Sequence, residues 1–164
     1  MKNKIEYWKR LRESGIGNDL LILPGANVFI ENAKGEILMH KGFSHDFWRN
    51  IGGLSDDNES LWQCGTREVK EETNLDVKNL VPFAIRDDPN LKNKKYNIFL
   101  HSMSFWTKDY SGKIVMDKTE IKELGWLDLT DEKYKFRKGT QRFVNAFLEW
   151  KKTGRFQYIT NRGK

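Results

Sequence analysis

Glutamate and arginine side chains lie close together in the sequence between residues 53 and 75. They are four glutamates and one arginine, namely Glu59, Arg67, Glu68, Glu71 and Glu72. Because side chains three and four positions apart share a face of an α-helix, the last three glutamates are predicted to point the same way. Like charges on one face weaken a helix unless something positive lies among them. Carboxylate oxygens are ligands of hard divalent cations such as Mg²⁺, so the spacing favours a metal site.

The same stretch resembles the Nudix hydrolase (MutT-type) family. The family signature reads G-x5-E-x7-R-E-U-x-E-E-x-G-U, where U is an aliphatic residue. Eight residues stand at its fixed positions: Gly53, Glu59, Arg67, Glu68, Val69, Glu71, Glu72 and Leu75. Asn74 departs from the signature, because it stands where the family has glycine. A looser likeness extends from about Tyr7 to Trp126.

The resemblance implies a metal-dependent pyrophosphohydrolase. Nudix enzymes cleave a nucleoside diphosphate linked to a further group X by attack of water on phosphorus, with Mg²⁺ or Mn²⁺ as cofactor. By resemblance, Glu68, Glu71 and Glu72 are the metal ligands. The backbone carbonyl of Gly52 is a further candidate ligand, since Gly52 immediately precedes the signature glycine.

The resemblance also suggests roles in catalysis. Either Glu68 or Glu71 could deprotonate or orient the water, and the sequence leaves both open. Arg67 is expected to orient the glutamates through an ion pair, with Glu59 as its partner. The alternative is an exposed charged helix in which Arg67 and Glu71 form an ordinary i,i+4 pair.

A further carboxylate is expected from outside the signature, because many Nudix enzymes recruit one from a loop beyond the sheet as a base or metal ligand. Glu120 and Glu123 are the two candidates, and Glu120 is preferred. Phosphate contacts could come from Arg86 and from three loop lysines, although such a loop is more often simply solvated. These lysines are Lys92, Lys94 and Lys95.

Local signals predict the element that positions the carboxylates. Ser60 and Gln63 have the spacing of a capping box, which begins a helix just after Glu59. Asn74 is predicted to end the helix in the left-handed conformation, where asparagine is the usual second choice after glycine. The apolar face of this helix, with Leu61, Gly65 and Val69, is expected to pack on a sheet.

The rest of the chain alternates between predicted strands and helices. An arm or short helix is predicted at 5–12, and a helix at 140–152 has Phe143, Phe147 and Trp150 on one face. Strands are predicted at 20–23, 26–31, 36–41, 47–51, 76–86, 96–107 and 124–129. The strand at 36–41 is expected to form a hairpin with 26–31 across the turn Asn32–Gly35.

This order predicts an α/β fold with a mixed sheet, and the resemblance sharpens it to the Nudix α/β/α sandwich. At 164 residues, the chain is expected to form a single domain. Residues 1–19 are expected to be an N-terminal arm or helix, and residues 153–164 a flexible tail.

The positive charge is concentrated toward the C-terminus. The chain carries a net charge of +6, and residues 133–164 contain ten basic residues and one acidic residue, Glu149. A basic surface attracts nucleotides or RNA phosphates, although a solvated helix face explains it equally simply. A small nucleotide-type substrate is the expected partner, and an RNA 5′ end is the alternative.

Cysteine content and hydropathy suggest a cytoplasmic protein. Cys64 is the single cysteine, which precludes an intrachain disulfide and suits a reducing compartment, and its expected role is that of a small buried residue. No signal-peptide run or membrane span is predicted. His40, His45 and His101 have no metal-ligand spacing. Phe47 and Trp48 could stack on a base, although packing in the core is the expected use. A non-catalytic ligand-binding module is the alternative function, and the oligomeric state is left open.

Overall fold

A mixed β-sheet runs through the molecule, with helices on both of its faces. The computed structural model describes residues 6–44, 46–87 and 97–160. The helices are α1 (Tyr7–Leu11), α2 (Leu61–Thr73) and α3 (Lys138–Thr153), and a π-helical turn at Arg12–Ile16 follows α1. The strands are β1 (Leu21–Ile30), β2 (Ile37–Gly42), β3 (Arg49–Leu54), β4 (Asp76–Val77), β5 (Val81–Arg86), β6 (Ile98–Thr107), β7 (Tyr110–Ser111), β8 (Ile121–Leu127) and β9 (Gln157–Ile159).

Seven of these strands form the main sheet in the order β8-β2-β3-β1-β6-β5-β9. The pairs β1–β6 and β5–β9 are parallel, and the other neighbours are antiparallel. Strands β4 and β7 pair separately as a small two-stranded sheet. The predicted α/β class with a mixed sheet is confirmed.

Successive side chains of β1 supply the two halves of the core. Ala26, Val28 and Ile30 pack in the cluster beneath α2, while Phe29 packs against Phe147 of α3. This alternation follows from the two-residue period of a strand. Both α2 and α3 are therefore fixed against the same central strand, from opposite sides.

The first segment of the chain packs on the start of β1. Tyr7, Trp8 and Leu11 contact a small cluster that contains Leu21 and Leu23. The N-terminal arm is thus a packed helix where the structure describes it. Residues 1–5 of the predicted arm lie outside the described residues.

The predicted hairpin is wrong in its pairing. The turn at 32–35 forms, with the Gly35 amide donating to the Asn32 carbonyl at 3.0 Å, but only an isolated bridge joins Glu31 to Ile37. Beyond the bridge β1 and β2 separate, and β3 lies between them. Strand β3, which comes later in the sequence, pairs antiparallel with both β1 and β2.

Two further strand predictions are corrected. The runs 20–23 and 26–31 are one continuous strand, since β1 passes through Pro24 and Gly25 and pairs along its length with β6. The strand predicted at 47–51 extends further than expected, because Gly52 and Gly53 both belong to β3. There Gly52 pairs with Asn27 and Gly53 with Ala26.

The predicted flexible tail contains ordered structure. Gln157–Ile159 forms β9, which pairs with β5, and the Ile159 side chain is buried in the core under α3. Burial of this apolar side chain explains why the segment is fixed. Residues 161–164 lie outside the described residues. In the part of the chain that the structure describes, no helix is both long and apolar enough to cross a membrane.

Candidate active site

Helix α2 begins and ends where the sequence predicted. The Ser60 hydroxyl accepts a hydrogen bond from the Gln63 amide at 3.2 Å, and the Gln63 side chain accepts one from the Ser60 amide at 2.8 Å. Asn74 closes the helix in the left-handed conformation, with φ of 62°. The capping box and the asparagine cap are both confirmed, and they set which residues face the sheet.

Small residues allow α2 to approach the sheet closely. A Cβ atom added at Gly65 would lie 2.9 Å from the Cγ2 atom of Val28 on β1. Val69 is fully buried one turn later, and Leu61 packs at the edge of the same cluster. The predicted packing face is confirmed, so the carboxylate face of α2 lies over the end of β3.

Arg67 connects three of the predicted site carboxylates. Its Nε and Nη2 atoms donate to the two oxygens of Glu59 at 3.0 and 2.8 Å. Its Nη1 atom donates to Glu68 Oε1 and Glu71 Oε2, both at 2.9 Å, and Nη2 also donates to the Leu54 carbonyl at 3.0 Å. Both the predicted pair with Glu59 and the alternative i,i+4 pair with Glu71 are therefore present in one network.

The three glutamates of α2 differ strongly in exposure. The Glu71 side chain is 58% exposed, whereas Glu68 and Glu72 are 15% and 12% exposed. Glu68 lies directly on β3, where a Cβ atom at Gly53 would come within 2.6 Å of its Oε1 atom. Glycine at position 53 therefore leaves the space that this carboxylate occupies.

Burial makes the charged forms of Glu68 and Glu72 costly. Burial raises the pKa of Glu68 to about 7, with a smaller raising effect from Glu71, although Arg67 opposes the shift. Burial, reinforced by the charge of Glu68, raises the pKa of Glu72 well above its usual range. The Gly52 amide donates to Glu72 Oε2 at 3.3 Å, which only partly offsets this cost.

The pKa of Glu59 is shifted in the opposite direction. Its burial alone would raise its pKa, but hydrogen bonds from Arg67 and from the Asp56 amide outweigh burial and lower it. The amide of Asp56 donates to Glu59 Oε1 at 2.6 Å. Glu59 is thus a stable anion that holds Arg67 in place, as the sequence suggested.

The donors at this site fit a hard divalent cation. They are carboxylate oxygens, and two of them belong to buried side chains whose charges a cation would neutralise. Glu68 and Glu71 each have one oxygen bonded to Arg67. Within residues 6–44, 46–87 and 97–160, no three acidic, histidine or cysteine side chains already surround one point as metal ligands would.

Of the two extra acidic candidates, Glu120 lies nearer the site. Its charge raises the pKa of Glu72, so the two carboxylates are within electrostatic range. Glu123 instead pairs with Lys41 at 3.0 Å. Arg86, suggested as a phosphate contact, donates to the Leu100 carbonyl at 3.0 Å and lies over the Phe143 ring. Lys92, Lys94 and Lys95 lie outside the described residues.

Two residues at the site have no signal in the sequence. His40 Nε2 lies 3.9 Å from Glu72 Oε1, and burial together with the charge of Arg49 lowers the pKa of His40 to about 4. Arg49 stands directly across from His40 in the β2–β3 pair. Both were missed because the pairing of β2 with β3 brings them near Glu72, and local sequence does not indicate that pairing. The structure does not describe His45, and His101 lies 3.4 Å from Asp87.

The predictions for Cys64 and the aromatic residues are largely confirmed. Cys64 is fully buried, and burial raises the pKa of its thiol to about 11, which does not suit a nucleophile. Trp48 is buried in the core, beneath the ammonium group of Lys41. Phe47 was also predicted to pack in the core, but its side chain is exposed.

The basic C-terminal segment is not uniformly free for a ligand. Lys151 donates to the buried carboxylate of Glu31 at 2.8 Å, and Lys133 pairs with Asp131 at 2.5 Å. Lys152 and Arg155 are exposed near the end of α3. Part of the positive charge therefore serves the fold, and any polyanion surface would have to use the remainder.

Comparison with known proteins identifies related sequences. The family model for the NUDIX domain matches residues 22–147. Nudix hydrolase 8 of Arabidopsis thaliana is 31% identical over 84 residues, which are 51% of this chain and 22% of the plant protein. The m7GpppN-mRNA hydrolase of Saccharomyces cerevisiae (strain ATCC 204508 / S288c) is 30% identical over 104 residues, 63% of this chain and 10% of the yeast protein. The NAD-capped RNA hydrolase NudC of Vibrio atlanticus (strain LGP32) is 29% identical over 111 residues, 66% of this chain and 38% of that protein. This chain therefore spans well under half the length of these relatives.

Solved structures share the fold. A MutT NUDIX hydrolase from Burkholderia pseudomallei superposes with a TM-score of 0.67 at 19% identity, covering 76% of this chain and 97% of that one. A MutT protein from Bacillus halodurans gives a TM-score of 0.68 at 19% identity, covering 83% and 86%. At this level of identity the likeness concerns the fold alone.

Proposed function

This chain belongs to the NUDIX family, and from that membership we propose that it hydrolyses the pyrophosphate linkage of a nucleoside diphosphate joined to a group X. The observation that carries the proposal is the pair of buried carboxylates, Glu68 and Glu72, whose charged forms burial disfavours. Desolvating two neighbouring carboxylates is costly without a neutralising cation. That cost suits a site that works with a bound metal.

Mg²⁺ or Mn²⁺ is the proposed cofactor. Glu68, Glu71 and Glu72 would hold it, with the Gly52 carbonyl as a further ligand. When bound, such a cation offsets the negative charge of a pyrophosphate and lowers the pKa of water. These ligands are a proposal that rests on the family pattern and on the oxygen chemistry of the donors.

The remaining roles follow from the contacts of the chain. Arg67 is a positioning residue, because its guanidinium fixes Glu68 and Glu71 while Glu59 holds it from the other side. Either Glu68 or Glu71 is proposed to accept the proton of the attacking water. Glu120 is proposed as an additional base or ligand beside Glu72.

A substrate panel tests this function. Purified protein would be incubated with dNTPs, ADP-ribose, dinucleoside polyphosphates and 5′-triphosphate RNA, with Mg²⁺, with Mn²⁺ or with a chelator, and the phosphate-containing products would be identified. We expect hydrolysis of the pyrophosphate linkage in at least one small nucleotide, and we expect the chelator to abolish it. Lack of turnover with every substrate and both metals would instead favour a non-catalytic ligand-binding module.

An RNA 5′ end is the second candidate substrate. The yeast and Vibrio relatives are named as hydrolases of capped RNA, and Lys152 and Arg155 are exposed basic residues. Lys151 is a poor probe of this idea, because it pairs with buried Glu31. The matched test is a Lys152→Gln/Arg155→Gln variant, assayed on RNA and on a small nucleotide.

The salt dependence of that assay separates the candidates. An RNA substrate would release counterions on binding, so its apparent affinity should fall steeply with salt, and the double variant should flatten the slope. We expect both proteins to act equally on the small nucleotide. A selective loss on RNA would favour the RNA end as the substrate, whereas unchanged RNA turnover would exclude this surface.

A further inference from the structure

Arg49 has a guanidinium donor without a partner among the described residues, and it lies within electrostatic range of Glu72 and Glu120. Its Nε atom is buried and has no hydrogen-bond partner among the described residues. The guanidinium lies against the backbone of Gly42, where an added side chain would collide with the Nη2 atom. Glycine at position 42 leaves the space that the end of the Arg49 side chain occupies.

The surroundings of Arg49 are those of the proposed site. His40 is its direct cross-strand neighbour, and side chains opposite one another in a sheet lie on the same face. His40 in turn reaches to 3.9 Å from Glu72. Burial lowers the pKa of Arg49, and the charges of Glu72 and Glu120 oppose that effect across space. Arg49 therefore lies on the β2–β3 side of the carboxylates.

A fixed counter-ion for Glu72 would be hydrogen-bonded to it. Instead, Glu72 accepts its hydrogen bond from the Gly52 amide, and the Nε donor of Arg49 is left unused. A buried donor without a partner costs about 1–3 kcal/mol, and a guanidinium has the planar fork that matches two oxygens of a phosphoryl group. Because the residue is only partly buried, an arriving anion would pair with the charge of its guanidinium.

We propose that Arg49 binds a phosphoryl group of the substrate beside Glu72, as a phosphate-binding residue outside the family signature. The inference rests on the proposed function, since a diphosphate is the part of the substrate that all candidate ligands share. Loss of Arg49 should therefore weaken substrate binding more than it slows the chemical step.

Binding of methylenediphosphonate, a pyrophosphate analogue that resists hydrolysis, tests the proposal by calorimetry with and without Mg²⁺. The variants are Arg49→Met, which keeps the apolar stem, and Arg49→Lys, which keeps the charge but not the fork. Arg10→Met is the matched control at an exposed site. We expect Arg49→Met to weaken binding about 10- to 100-fold, the factor for losing hydrogen bonds to a charged group. Arg49→Lys should recover part of the lost affinity for methylenediphosphonate, and the control should bind it as wild type does.

The outcomes distinguish this proposal from the proposed function. Methylenediphosphonate binding that depends on Arg49, in a protein that hydrolyses no nucleotide, would uphold the site and contradict the enzyme. Hydrolysis with an unchanged KM and unchanged analogue affinity in Arg49→Met would overturn the site and leave the enzyme standing. Absence of analogue binding to wild type, with or without Mg²⁺, would also overturn it. If Arg49→Met does not fold, the same measurements are made on Arg49→Gln and are judged by the same outcomes.

Discussion

Arg67 determines how the acidic residues are arranged. Its five donors reach Glu59, Glu68, Glu71 and the Leu54 carbonyl, so one side chain joins the loop before α2 to two turns of the helix. Glu59 and Glu68 raise the pKa of Arg67, so it remains charged. Lysine has the same charge but presents it at one point, and it would not span the same four groups.

Arg67→Lys is therefore expected to reduce activity about 10- to 100-fold, which is the usual effect of losing a residue that orients metal ligands. The fold should persist, because α2 keeps its caps and its apolar face. Steady-state kinetics at saturating Mg²⁺ and a thermal melt would measure both effects. Arg10→Lys, in an exposed pair with Asp57, is the control. Full activity in Arg67→Lys would show that the network does not position the reacting groups.

Helix α2 shows how much of the site local sequence predicts. Its capping box, its asparagine cap and its apolar face are set by residues within one helical turn of one another, so all three were predicted. Strand order depends on distant partners. The insertion of β3 between β1 and β2 has no local signal, which is why the predicted hairpin was wrong and why His40 and Arg49 were missed.

Substitutions at the two caps of α2 test how much each cap contributes to the free energy of unfolding. Ser60→Ala should cost about 1 kcal/mol of unfolding free energy, since it leaves the Gln63 amide without its acceptor. Asn74→Ala should cost about 1 kcal/mol more than Asn74→Gly, because only the alanine is strained in the left-handed conformation. Urea denaturation would measure these values, with Ser111→Ala as an exposed control. Equal stability of the two Asn74 variants would contradict the assigned cap.

Glu31 joins parts of the molecule that are far apart in sequence. Its buried carboxylate follows β1 and accepts hydrogen bonds from Trp106 of β6 at 2.6 Å and from Lys151 of α3 at 2.8 Å. Lys108 pairs with it at 3.1 Å. Burial alone would raise the pKa of Glu31, but these donors outweigh burial and lower it from 4.5. A basic residue that suggested RNA binding in the sequence therefore stabilises the fold.

The stability of the whole molecule should depend on pH through this group. Because the folded pKa is depressed, the contribution of Glu31 is complete above pH 4.5 and is lost as pH falls through the folded pKa. At pH 6 to 7, Glu31→Gln is expected to cost about 2 kcal/mol, and the difference from wild type should shrink as pH falls below 4.5. Urea denaturation across pH 3 to 7 checks this, with exposed Glu149→Gln as control. A constant difference would contradict the ionic role of Glu31.

The proposed metal-dependent chemistry depends most on Glu72, the buried carboxylate of α2 that accepts a hydrogen bond from the backbone of β3. Glu72→Gln keeps the shape of the side chain and removes its charge, which relieves the cost of burial in the metal-free protein. The decisive measurement is turnover of the best nucleotide substrate by this variant at saturating Mg²⁺. We predict a loss of at least about 100-fold, the size of effect seen for a removed electrostatic stabiliser, in a protein whose metal-free melting temperature is no lower than that of wild type. Near-wild-type turnover in the folded variant would contradict the proposed metal-dependent chemistry at Glu72.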